Sequence, residues 1–132
     1  MPLLVIEATT EEVRRTYEQD PSLIVWWGTE VECASALSRR ERQEKLPAQA
    51  VVQAVAQLEV LKASWHEIQP AEPVRRTALR LLRVHDLRTA DALQIAAAIV
   101  AAEGHPGRLQ VVTLDERMSA AMMKEGFALA PL

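Results

Sequence analysis

The 132-residue chain has a single cysteine, Cys33, so it forms no internal disulfide and is expected in a reducing compartment, the cytoplasm by default. Aromatic residues are scarce, three tryptophans, one tyrosine and one phenylalanine. With 49% hydrophobic residues drawn mainly from Ala, Leu and Val, that scarcity favours α/β or all-α packing over a β-sandwich. An excess of basic charge is also missing. The formal net charge is −3, so any contact with nucleic acid must come from a local patch or through metal ions. No apolar run approaches the roughly 18 residues of a membrane span, and Met1 to Ile6 lacks the charged start of a signal peptide. The three histidines, His66, His85 and His105, have no metal-ligand spacing and are read as structural or surface residues. There is no repeat, linker or low-complexity segment, and the length suits one domain spanning 1–132.

What is present is an alternation of helical and strand signals. Thr9 or Thr10 can cap a helix running to about Gln19, which Asp20-Pro21 stops. Leu23 to Trp27 is a continuous run of β-formers between Pro21 and Gly28, the pattern of a strand covered on both faces. A helix over about Thr29–Glu44 ends in Arg39, Arg40, Arg42 and Lys45, cations that suit either a helix C-terminus or a phosphate. A second helix starts at Pro47, and Trp65–Ile68 is a weak strand. Val74, Ala78, Leu81 and Leu82 mark another helix, closed by His85. Thr89 is the expected N-cap of an alanine-rich helix that runs unbroken to Gly104. Leu109–Leu114 reads as a second convincing strand, Glu116–Lys124 as a short helix closed by Gly126, and Phe127–Leu129 as a possible last strand. Strands alternating with helices imply a mainly parallel sheet with helices on both faces.

In such sheets, sites form beyond the carboxyl ends of the strands. Glu32 and Asp115 each follow a predicted strand, and Asp91 opens the alanine-rich helix, which would run antiparallel to those strands. Taken singly, each acid could do no more than complement a helix dipole. Together they could converge on one edge, where carboxylate oxygens with open water positions suit Mg²⁺ or Mn²⁺. Such a site can orient a phosphodiester and activate a water. Thr113 shares the face of Asp115 if the strand extends that far, and its hydroxyl could hold a ligand or water.

The segments Trp26–Leu37, Arg88–Leu93 and Val112–Met118 together resemble a PIN-domain ribonuclease of the VapC toxin type, in order and spacing along nearly the whole chain. The resemblance implies a parallel sheet flanked by helices, a homodimer, Mg²⁺- or Mn²⁺-dependent cleavage of RNA, and a small VapB-type antitoxin that occludes the site. Glu32 matches the family's helix glutamate, whereas Glu30 does not. Asp91 matches the acid that opens the alanine-rich helix, Asp115 the acid after the later strand, and Thr113 a position that often carries a hydroxyl.

One departure from the family pattern stands out. The family opens with a strand ending in an Asp, then small and hydroxyl residues and an apolar helix. Met1-Pro2-Leu3-Leu4-Val5 resembles the middle of that helix, so the chain is expected to begin about ten residues late, without its central strand and first acidic ligand. Glu7 lies closer to Glu32 than the family's usual interval and is not expected to replace that ligand. The main expectation is therefore a ribonuclease impaired in this chain. The alternative is a catalytically inactive module that binds an antitoxin or a second copy of itself. A plain α/β domain with surface acids predicts that Asp91→Asn and Asp115→Asn leave metal binding unchanged.

Overall fold

A computed structural model describes residues 2–4, 23–112 and 116–129. Strands β1 (Pro2–Leu4), β2 (Ile24–Trp26), β3 (His66–Ile68), β4 (Gln110–Val112) and β5 (Ala128–Leu129) form one sheet in the order β3-β2-β1-β4-β5. Every pairing is parallel. Helices α1 (Thr29–Glu44) and α2 (Ala48–Lys62) connect β2 to β3. Helices α3 (Glu72–Val84) and α4 (Thr89–Ala102) connect β3 to β4, and α5 (Glu116–Lys124) connects β4 to β5. The expected parallel α/β architecture is therefore observed. The helix expected from Thr9 or Thr10 to Gln19 lies outside the described residues.

The expected gap in the middle of the sheet is filled. Leu3 pairs with Ile24 on one side and Val111 on the other, so β1 is the central strand. Two physical reasons explain the difference. A four-residue apolar run such as Leu3–Ile6 is too short for periodicity to separate strand from helix. An open slot between β2 and β4 would also strand two rows of backbone hydrogen-bonding groups. Pro2 is tolerated because it opens the strand.

Strand β2 is buried on both faces, as its unbroken β-former run implies. Ile24 and Trp26 join the main core with Val74, Leu81, Ile95, Val111, Met118 and Phe127, while Leu23 and Val25 pack with Trp65, Leu58 and Leu61. The ladder reaches beyond the strand, through His66 N–H to the Leu23 carbonyl and Trp27 N–H to the Ile68 carbonyl, both at 2.9 Å. Helix α3 offers Val74, Ala78 and Leu81, one turn apart, to α4. Helix α4 answers with Ala92, Ile95, Ala96, Ala97, Ala98 and Ala102, whose small side chains allow close approach. Its expected cap differs, because Arg88 is the N-cap and Thr89 is the exposed first residue of the helix. By contrast, α1 buries only Thr29 and α2 has no fully buried residue, so this hairpin lies largely on the surface. Among the described residues no helix is long and apolar enough to cross a membrane.

Candidate active site

Helix α1 begins three residues after β2, which puts its N-terminus beyond the carboxyl end of that strand. The turn is tight, since a Cβ on Gly28 would collide with the buried Trp26 indole. The Glu32 N–H donates to the Gly28 carbonyl at 3.0 Å, so the Glu32 carboxylate belongs to the first turn, where the helix dipole favours negative charge. The two acids of this turn have different partners. Glu30 Oε2 accepts from Lys62 Nζ at 2.7 Å, a half-exposed pair that ties α1 to α2 and raises the Lys62 pKa. Glu32 turns instead toward α4, where the buried Gln94 amide Nε2 donates to its Oε2.

That hydrogen bond is the informative one. Gln94 follows Asp91 by three residues, so the two share a face in the first turns of α4. Helix α4 leads into β4 through only a short connection, and β4 runs parallel to β2. The start of α4 must therefore lie toward the carboxyl ends of the strands, and the Glu32–Gln94 contact agrees. The structure thus brings the Glu32 and Asp91 turns together. Thr113 and Asp115 fall between Val112, the last residue of β4, and Glu116, the first of α5, and lie outside the described residues, as does Glu7.

Two residues that sequence reasoning passed over belong beside Glu32. Thr29 is fully buried, and its hydroxyl has no hydrogen-bond partner among the described residues. Gln94 is 4% exposed, and its carbonyl Oε1 is likewise unpartnered. The available signal for Gln94 was a lone amide in a run of Ala, Leu and Ile, at helical spacing from Asp91. Thr29 had no comparable signal, because threonine is common at helix starts.

Sulfur and imidazole donors do not contribute. Burial, then the charges of Glu32 and Glu30, push the Cys33 thiol up to about 11, so it stays protonated at neutral pH. His66 and His105 are exposed, and His85 is engaged with Glu125 at 2.8 Å. Among the described residues no group of three His, Cys, Asp or Glu side chains could hold a metal ion. The groups left to act as ligands on these two helix turns are oxygens: the Glu32 carboxylate, and the buried Thr29 hydroxyl and Gln94 Oε1, both with unmet hydrogen-bonding capacity. That chemistry fits a hard, hydrated cation such as Mg²⁺ or Mn²⁺.

No protein-family model matches the chain. Two curated relatives, Ribonuclease VapC45 and Ribonuclease VapC49 from two strains of Mycobacterium tuberculosis, are each 31% identical over 142 aligned residues. Each alignment covers 99% of this chain and 96% of the relative. Among solved structures, PAE2754 from Pyrobaculum aerophilum superposes with a TM-score of 0.60 at 20% identity, covering 92% of this chain and 79% of its own, a likeness of fold. On the length and identity of these matches, this chain belongs to the VapC-type family of PIN-domain ribonucleases.

Proposed function

We propose that the protein is the endoribonuclease toxin of a toxin–antitoxin pair, hydrolysing RNA phosphodiester bonds with Mg²⁺ or Mn²⁺ held by Glu32, Asp91 and Asp115. The observation that carries this reading is the Glu32–Gln94 hydrogen bond, which sets the first turns of α1 and α4 side by side. The names of the curated relatives support the RNA substrate and, as partner, a VapB-type antitoxin. A homodimer and a cytoplasmic setting complete the proposal.

Each residue has a defined task. Glu32 and Asp91 lie in the first turns of their helices, where backbone N–H groups and the helix dipole favour negative charge. Asp115 immediately precedes α5 in sequence, and Thr113 offers a hydroxyl two residues earlier. When bound, a divalent cation supplies a water of lowered pKa and charge compensation for an in-line displacement at phosphorus. The carboxylates accept the positive charge and fix its position. Ile95, Ala96 and Trp26, neighbours in sequence of Gln94 and of the β2–α1 turn, anchor these segments in the core.

With the central strand in place, impairment through an open sheet has no structural basis. Glu7 comes three residues after Leu4, the last residue of that strand, and joins the residues to be tested as a fourth acid. The experiment is calorimetric titration of Mn²⁺ together with cleavage of RNA, using the full chain and its Glu32→Gln, Asp91→Asn, Asp115→Asn and Glu7→Gln variants. The parent is expected to bind and cut. Each of the first three substitutions should weaken binding and abolish cleavage. A parent chain that neither binds Mn²⁺ nor cuts RNA, yet still captures its antitoxin, would establish the inactive binding module instead.

A further inference from the structure

Resting on the metal-site reading above, we propose that Gln94 is a positioning residue: its amide N–H holds one oxygen of Glu32, and its amide oxygen, with the Thr29 hydroxyl, receives a water that the bound cation retains. The orientation of the amide follows from chemistry. An ionised carboxylate only accepts hydrogen bonds, so the amide nitrogen must face Glu32 and the carbonyl oxygen must face away. Because both ends belong to one planar group, Oε1 remains beside the same carboxylate. Thr29 precedes Glu32 by three residues and so shares its face of α1. The first turns of α1 and α4 thus each carry a buried oxygen, the Thr29 hydroxyl and Gln94 Oε1, neither with a partner among the described residues. A water bridging them would have the two to four polar neighbours that a buried water requires.

Folding alone does not explain this amide. Gln94 lies in a helix otherwise made of Thr, Ala, Asp, Leu, Ile and Val, and its buried neighbours are Ile95, Ala96, Ala97 and Ala98. Burying an acceptor with no partner opposes folding, and an apolar side chain of similar volume would fill the same space without that penalty. Gln94 touches Glu32 rather than the cation, so it acts by holding that carboxylate in place, as outer partners of metal ligands do.

The test is Mn²⁺ titration of the full-length parent, Glu32→Gln, Gln94→Met and the double variant. Methionine keeps the volume and removes both polar ends. Gln94→Met should bind Mn²⁺ about tenfold more weakly than the parent. The double variant should bind like Glu32→Gln alone to within about twofold, since Gln94 works through Glu32. A second measurement needs no variant: the Gln94 side-chain amide signal should exchange slowly in the metal-free protein and broaden on adding Mn²⁺. Undiminished affinity in Gln94→Met, with affinity lost in Glu32→Gln, overturns the positioning role and leaves the metal site standing. Losses that simply add overturn it as well. Parent-like binding by Glu32→Gln overturns the metal site and this inference together.

Discussion

Glu125 is the residue through which α3 is tied to the end of α5, and its removal has a calculable cost. Its carboxylate accepts from Arg80 Nη2 at 2.8 Å and Nη1 at 3.4 Å, and shares a hydrogen bond with His85 Nε2 at 2.8 Å. Exposure decides which contacts matter. The Arg80 side chain is 50% exposed and would rehydrate if released, so its ion pair contributes about 0–1 kcal/mol. The His85 side chain is 6% exposed, and leaving its N–H unpaired costs about 1–3 kcal/mol. Glu125→Ala should therefore destabilise the fold by about 1–4 kcal/mol, lowering Tm by on the order of 10 °C. Acidification should have the same effect in the parent. The Arg80 hydrogen bond, and more weakly the His85 bond, hold the Glu125 carboxyl below its ordinary value of 4.5, against the opposing influence of burial. Below 4.5 the unfolded chain takes up this proton before the folded one does. The contribution is thus complete above that pH and is lost as the pH falls through the lower folded value. Urea denaturation of parent and Glu125→Gln across the acid range measures both effects. A Glu125→Ala variant within about 0.5 kcal/mol of the parent at neutral pH would refute the reasoning.

Three further outcomes follow from the structure. Gly28→Ala should cost about 1–3 kcal/mol in denaturation experiments, because the new Cβ displaces a Trp26 side chain that has no free space; a neutral result would mean that the α1 turn is looser than described. Cys33, with its thiol pushed up to about 11, should have only about one molecule in a thousand as thiolate at pH 8 and should react with a disulfide reagent tenfold faster per added pH unit. Reaction at the rate of an ordinary exposed thiol would contradict that environment. Chelation with EDTA should leave far-UV circular dichroism and cooperative unfolding intact, since the main core cluster is built of apolar residues and includes none of the acids; unfolding on chelation would make the metal structural rather than catalytic.

The parts of the fold that were legible in the sequence are those where one physical signal dominates. The β2 run needed burial on both faces and received it. Gly126 was expected to close α5, and it does so with φ 97°, where Phe127 N–H donates to the Met122 carbonyl and Gly126 N–H to the Met123 carbonyl. The parts that were not legible are those where the signal is short or non-local. Pro2–Leu4 is three residues long, and its strand character comes from β2 and β4, which lie far away in the chain. His85 was expected to end α3, which it does, but its pairing with Glu125 joins residues 40 apart. The site divides in the same way. Glu32 and Asp91 were visible as first-turn acids, whereas Gln94 is defined by what it touches across the fold.

The site proposed above must fold before any cation binds. Carboxylates gathered at one edge repel one another and raise one another's pKa, a cost to the folded state. The described residues offset that cost locally. Glu30 is paired with Lys62 of α2, which offsets part of its charge. Glu32 and Asp91 each belong to a first helical turn, worth about 0.3–1 kcal/mol in dipole and N–H interactions. Glu32 gains a further charge-assisted hydrogen bond from Gln94. The burden of folding then falls on the α3–α4 contact and the alanine face of α4, which continue to Ala102 well away from the acids. Helix α4 thus serves two purposes along one axis. Its buried length packs against α3 and the core, and that packing sets the place of its first turn, from which Gln94 reaches Glu32.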